Sequence, residues 1–304
     1  MSGYNKYFLL NNDVELPILG IKSQQLHFSS FSLSDFNLDY KNFSLLQSPI
    51  RKFPIYTAAN IDGNKFYKIK RSLLFNGSDK WQKDNRISEN HQFGKELYKA
   101  NQSDFDRGHM TKREDVQWGN SFEDAKEAAK STFFYTNSIP QMAKLNRGIW
   151  KDIEDYVLHE ETLNNDLKIT LFTGPVLGSN DPKFVTEVNN KDVQIPYLFW
   201  KVIYYTHEDV LLRTSFIAGQ RNQLILKGII EDEYRDDETA IKFQSFKDAV
   251  TYQVKTEFIE EITGMKFTNA IEKYTDNRAT ELILEETDVR NEATDVPVII
   301  NITL

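Results

Sequence analysis

Apolar residues in this chain come mostly as short runs between turn-forming residues. The runs at 53–60, 65–75, 131–136, 168–174, 196–206 and 210–218 mix aromatic and β-branched residues, which predicts six strands. Helical spacing predicts helices over 121–130, 146–160, 220–230 and 246–263, the last stopping at Gly264. Residues 1–50 are rich in Ser, Asn, Leu and Phe without a strong helical period, and read as an N-terminal extension of strands and loops packed on the core. The acidic stretch Glu231-Asp232-Glu233, continuing through Asp236-Asp237-Glu238, is the clearest candidate boundary and reads as a surface loop. Residues 271–304 read as a C-terminal tail or β addition. No internal repeat or long low-complexity linker interrupts the pattern.

Composition narrows the classes. At 304 residues with 40% apolar and 13% aromatic content, the chain can bury a substantial core as one large domain or two modest ones. The absence of cysteine excludes disulfides, thiol catalysis and cysteine-based zinc sites. The N-terminal apolar patches are interrupted by Asn11, Asn12, Asp13 and Glu15 before a secretory core forms, and no run approaches the roughly 18 apolar residues of a membrane span. The expectation is a soluble, cytoplasmic protein with no membrane partner, export by a signal-less route being left open. Net charge is −8, which by itself argues against a nucleic-acid partner, but its distribution is uneven. Residues 51–151 hold 19 Lys or Arg against 12 Asp or Glu, a balance of +7, which leaves −15 for the rest. Cations are thus concentrated in one segment, as phosphate binding requires.

That segment carries the candidate chemistry. It contains Asp106-Arg107-Gly108-His109 and, about forty residues later, Leu145-Asn146-Arg147-Gly148-Ile149-Trp150 with Glu154. Phosphodiester hydrolysis needs a base to take a proton from water and a cation to stabilise charge on the phosphoryl and leaving oxygens. Histidine side chains ordinarily change charge near neutrality, so His109 can be the base. Magnesium keeps several of its waters, so the single side-chain carbonyl of Asn146 suffices to hold it beside substrate phosphate. On a helix over 146–158, Asn146, Trp150 and Glu154 would share one face, with Glu154 about 12 Å along the axis from Asn146 and therefore orienting water or an arginine rather than ligating. Each residue also has a plainer reading. A lone histidine is usually structural, Asn146 is a good helix N-cap, and Trp150 continues the apolar stripe of Ile149, Ile153 and Val157.

The segments FDRGHM at 105–110, TNSIPQ at 136–141, LNRGIWKDIEDYV at 145–157 and LFTGPVLG at 171–178 resemble the DNA/RNA non-specific endonuclease family, the ββα-metal nucleases that include bacterial sugar-non-specific nucleases and endonuclease G. The likeness continues through YTAANIDG, KREDVQWG, IPYLFWKV and IEEITGMKF, across roughly residues 40 to 270. The resemblance implies an α+β fold with a central antiparallel β-sheet flanked by helices, and a ββα-metal active-site motif in an endonuclease domain over 51–270. It makes His109 the general base, Asn146 the magnesium ligand and Glu154 the acid that fixes the hydrated metal. Arg107 would bind or orient phosphate, with Arg147 a further substrate-binding cation, while Asp106 and Asn137 support the site. The family's upstream phosphate clamp is displaced here: Asp79 and Lys80 stand where an arginine is expected, which leaves Arg86 as the candidate. The activity implied is magnesium-dependent cleavage of DNA and RNA through the phosphate backbone to 5′-phosphate products, with Mn2+ or another divalent cation able to substitute. Two other readings stay open: a nucleic-acid-binding module that has lost catalysis, and a nuclease effector or toxin restrained by an inhibitor, a regulatory partner or homo-oligomerisation.

Overall fold

Among the described residues the four longest strands are the runs in which β-branched and aromatic residues crowd together between turns: β3 (Pro54–Asp62), β6 (Lys168–Pro175), β7 (Leu198–His207) and β8 (Val210–Gly219). The structure, a computed structural model, describes residues 3–9, 11–75, 77, 80–163, 167–231, 246–285, 298–299 and 301–304. The four strands lie side by side, each antiparallel to the next, in the order β3-β6-β7-β8. All nine residues of β3 are buried, as expected of a strand covered on both faces. β7 and β8 form a hairpin in which His207 faces Val210. Its two turn residues, Glu208 and Asp209, take positive φ values of 49° and 62°, the conformation that matches the twist of the flanking strands.

Among the described residues shorter strands extend both edges into a nine-stranded sheet. β1 (Asn37–Tyr40) and β2 (Phe43–Gln47) add beyond β3, so part of the first fifty residues belongs to the sheet itself. On the other side β9 (Thr251–Val254) pairs with β8, β11 (Thr280–Glu281) closes that edge, and β10 (Ile271–Glu272) runs parallel to β8. A separate antiparallel pair, β4 (Phe105–His109) with β5 (Ser138–Met142), is followed directly by the short helix α2 (Ala143–Asn146) and by α3 (Ile149–Asp155). Helix α1 (Phe122–Ser131) begins at Ser121, whose hydroxyl accepts from the Asp124 amide, and turns Ala125, Ala128 and Ala129 inward. Helix α4 (Thr256–Thr263) ends at Gly264 in the left-handed conformation, φ 65°. No helix among the described residues is long and apolar enough to cross a membrane.

Several local expectations are corrected. Residues 65–75 form no strand: they run as 3-10 turns and loop, with Ile69 held by the side chains of Gln117 and Arg113 instead of a ladder. The apolar run at 131–136 ends α1 and enters a 3-10 turn, because the Asn137 amide takes the Thr132 carbonyl and the strand starts only at Ser138. The region 246–263 is a strand before it is a helix, since Thr251–Val254 finds the open edge of β8. The expected helix over 146–160 is broken at Arg147-Gly148 and continues past Asp155 as a π-helical stretch, Tyr156–Leu163. Gly148 sits so close to the turn before it that a Cβ there would lie 2.4 Å from the Lys144 carbonyl oxygen. Of the acidic stretch after residue 230, only Glu231 is among the described residues.

Candidate active site

Pairing between β4 and β5 sets His109 opposite Ser138, Gly108 opposite Ile139 and Phe105 opposite Met142. Alternation along β4 turns Arg107 and His109 to one face and Asp106 and Gly108 to the other. A larger residue there would have to displace Gln141. A Cβ on Gly108 would stand 2.0 Å from Oε1 of the buried Gln141, so the RGH and IPQ segments are matched to one another across the hairpin. On the opposite face the His109 ring lies 4.6 Å from the Trp81 ring and 5.0 Å, edge-on, from Phe133. The Arg107 guanidinium sits 5.6 Å over the same indole, so Trp81 supports both residues. Trp81 and Phe133 belong to a small core with Ile69, Leu74, Ala125 and Ala129. The chain leaving His109 is pinned by Asn137: its Oδ1 accepts from the Thr111 amide at 2.9 Å, and its Nδ2 donates to the Thr111 and Thr132 carbonyls, both at 3.0 Å. The Asn137 carbonyl also accepts from the Met110 amide.

At the other end of β4, Asp106 organises the α2 terminus. Its Oδ2 accepts from Asn146 Nδ2 at 3.0 Å and from Arg147 Nε at 2.8 Å, while Oδ1 accepts from Arg147 Nη2 at 2.6 Å. An ionised carboxylate can only accept, so the amide nitrogen of Asn146 must face Asp106. The Asn146 carbonyl oxygen, Oδ1, is thereby turned away and left for another ligand. Asn146 is the last residue of α2 and caps no helix N-terminus, since that position on α3 is held by Gly148. The Arg147 side chain is 70% exposed but commits its fork to Asp106, whereas Arg107 is exposed and enters no ion pair among the described residues. Asp106 and His109 are three residues apart on an extended strand, about 10 Å along it.

Glu154 lies in a buried charged layer between α3 and the sheet. Its Oε1 pairs at 2.8 Å with Nζ of Lys201, which is 2% exposed in the middle of β7 and stands 4.7 Å over the Trp150 ring. Lys112, just past His109, pairs with Asp155. Burial pulls the Lys112 ammonium down, but Glu154, Asp115, Asp155 and Glu114 more than offset it and hold it charged above its usual range. Burial pushes the Asp115 carboxyl up to about 7, with Glu154 adding to the rise and Lys112 and Lys201 opposing it. Because the folded state then binds a proton that the unfolded state releases near the ordinary carboxylate value of 3.8, stability is highest below that value and falls as pH rises towards 7. Asp115→Asn is therefore expected to melt close to wild type at pH 4.5 and several degrees higher at pH 8, measured by calorimetry at both. Equal melting differences at the two pH values would show that Asp115 is not the group responsible.

A family model described as DNA/RNA non-specific endonuclease matches residues 23–273. The chain belongs to that family. The uncharacterized protein y4fB of Sinorhizobium fredii is 31% identical over 281 residues, covering 88% of this chain. The match takes in 39% of that relative, so the chain spans about two fifths of its length. A crystal structure of the EndoG/EndoGI complex contains a chain of similar fold, with a TM-score of 0.54, 17% identity and coverage of 81% of this chain and 91% of the other.

Within this endonuclease-family chain the structure joins Asp106, Asn146 and Arg147, and separately seats Arg107 and His109 on Trp81. Asn146, Trp150 and Glu154 do not ride one continuous helix, so the expected shared face is replaced by a bend at Gly148. Arg86 is committed elsewhere. Its guanidinium is clasped by both oxygens of Asp84, donates to the Asp39 carbonyl and stacks 4.5 Å over Tyr40. Of the two residues that stand where the clamp arginine is expected, Asp79 lies outside the described residues and Lys80 is exposed. Sequence reasoning missed Trp81, Asp115 and Lys201 as parts of the site. A signal existed for Lys201, a single cation inside the otherwise apolar run IPYLFWKVI.

Proposed function

We propose that this chain is a magnesium-dependent endonuclease that hydrolyses phosphodiester bonds of DNA and RNA without marked sequence preference, leaving 5′-phosphate products. The observation that carries the reading is the Asp106 carboxylate, which lies on the strand that ends in His109 and fixes the amide nitrogen of Asn146 at the end of α2, turning Oδ1 away. Among the described residues no cluster of three or more His, Cys, Asp or Glu is arranged to hold a metal. The donor set near Asn146 is one neutral carbonyl, to which water and substrate phosphate add oxygens, and that set fits magnesium. When bound, the metal supplies positive charge against the phosphoryl and leaving oxygens. His109, held by Trp81 and Phe133, takes the proton from the attacking water. Arg107 presents a cation to the phosphate. Glu154 orients water at the site and is itself anchored by Lys201. Contacts confined to phosphate carry little base information, which accounts for low sequence preference.

The direct test incubates purified protein with plasmid, linear DNA and structured RNA, with magnesium and with EDTA. Cutting of all three that EDTA abolishes is expected. Intact substrates in magnesium, with binding retained, would favour the inactive nucleic-acid-binding reading. Restraint by a partner fits the same site, and the fold-mate above was solved in a complex concerned with EndoG inhibition.

Binding is expected to be dominated by phosphate. In the catalytically dead His109→Ala background, affinity for unrelated duplexes should fall alike and steeply with salt, and adding Arg107→Ala should lower the salt slope by about one. Filter binding across a salt series measures this. Preference for one duplex that survives high salt would contradict it.

A further inference from the structure

We propose that Lys201 is a positioning residue of the cleavage reaction, holding the Glu154 carboxylate and the Trp150 ring so that α3 presents its acid in one orientation; this rests on the nuclease reading above. Trp150 and Glu154 are four residues apart on α3 and therefore share a face. Both touch the same ammonium, the carboxylate at 2.8 Å and the ring centre at 4.7 Å. Lys201 itself is rigidly placed. It lies opposite Thr173 of β6 and Phe216 of β8, with strands on both sides, and its Nζ reaches the Thr173 hydroxyl at 3.3 Å.

The surroundings argue for a role beyond packing. Taking a lysine and a glutamate out of water is costly, and apolar residues of similar volume at such places are often as stable or more so. Lys201 is 2% exposed and Glu154 11%, yet the residues around them, Ile61, Ile153, Val157, Leu171 and Ile203, would admit an apolar pair. Asp115 lies among the same residues. Among the described residues the Lys201 ammonium is within ion-pair distance of Glu154 and of no other carboxylate. It therefore fixes one acid of the two. With Oε1 taken by Lys201, Oε2 is the Glu154 oxygen left to accept from water at the site.

The test compares wild type, Lys201→Met, Glu154→Gln and the double variant in the full chain. Three readouts are taken: kcat and KM on a duplex oligonucleotide with magnesium, Mn2+ affinity by calorimetry without nucleic acid, and thermal melting. Lys201→Met is expected to lower kcat and Mn2+ affinity about 10- to 100-fold, the range for losing a partner that orients a metal site, with KM changed by less than about 3-fold. The double variant should be no slower than the slower single one. Wild-type kcat and Mn2+ affinity in Lys201→Met, or losses that multiply in the double variant, would overturn the assignment. If Lys201→Met does not fold, recovery of a cooperative melt in the double variant supports it, because removing the acid's charge removes the need for the lysine. A double variant that also fails to fold overturns it, since Lys201 then serves the sheet. Should wild type cut no nucleic acid, the nuclease reading fails, while Mn2+ binding and melting still measure the coupling of Lys201 to Glu154.

Discussion

His109→Ala is expected to lower nucleic-acid cleavage at least about 10²-fold, the loss that accompanies removal of a general base, while the chain remains folded. The site supplies no obvious substitute. On its strand Asp106 is occupied by Asn146 and Arg147, and Arg107 carries a cation. The ring is half-buried against Trp81 and Phe133, so the alanine leaves a gap within the small core and some loss of stability follows. Far-UV dichroism and a thermal melt separate that loss from catalysis. Because Asn137 holds the backbone beyond residue 109 independently of the imidazole, the hairpin should persist. Cleavage within a few-fold of wild type by a well-purified variant would remove His109 from the mechanism.

Asn146→Ala is expected to abolish magnesium-dependent turnover more completely than Glu154→Ala. The first variant deletes the only carbonyl that Asp106 turns outward, and it also removes one of the hydrogen bonds to that carboxylate. The second deletes an acid that on the proposed mechanism acts through water, a change that typically costs 10- to 100-fold. Glu154→Ala has a structural cost too, since it leaves Lys201 without its carboxylate among buried apolar side chains. Measuring turnover against magnesium concentration distinguishes the two: Asn146→Ala should not recover at high magnesium, whereas Glu154→Ala should recover in part if its defect lies in cation binding. Unchanged metal affinity in Asn146→Ala together with the smaller loss of turnover would show that Asn146 is not the ligand.

What the sequence by itself determined is what neighbouring residues decide among themselves. The runs that became β3, β6, β7 and β8 were legible because β-branched and aromatic residues fit a pleated, buried surface and turns bound them. Helix α1 was legible from its helical spacing, and the end of α4 from Gly264, since capping acts within a turn. The chemistry-bearing residues were legible as types in order along the chain, together with the family they resemble. What only the tertiary structure decided is which partner each charged group takes, because those partners lie far away in sequence. Arg86 reads as a free clamp until Asp39 and Tyr40, more than forty residues earlier, close over the guanidinium that its neighbour Asp84 clasps, and Arg147 reads as a substrate cation until Asp106, forty-one residues earlier, engages its fork. The break at Gly148 was hidden because the apolar spacing from 149 to 157 is helical in its own right, while the backbone bends where Lys144 crowds it. Lys201 read as one cation in a strand. It gained its meaning only when the fold brought α3 against β7 and set Glu154 and Trp150 on either side of the ammonium, in surroundings where a buried charge persists only with its opposite beside it.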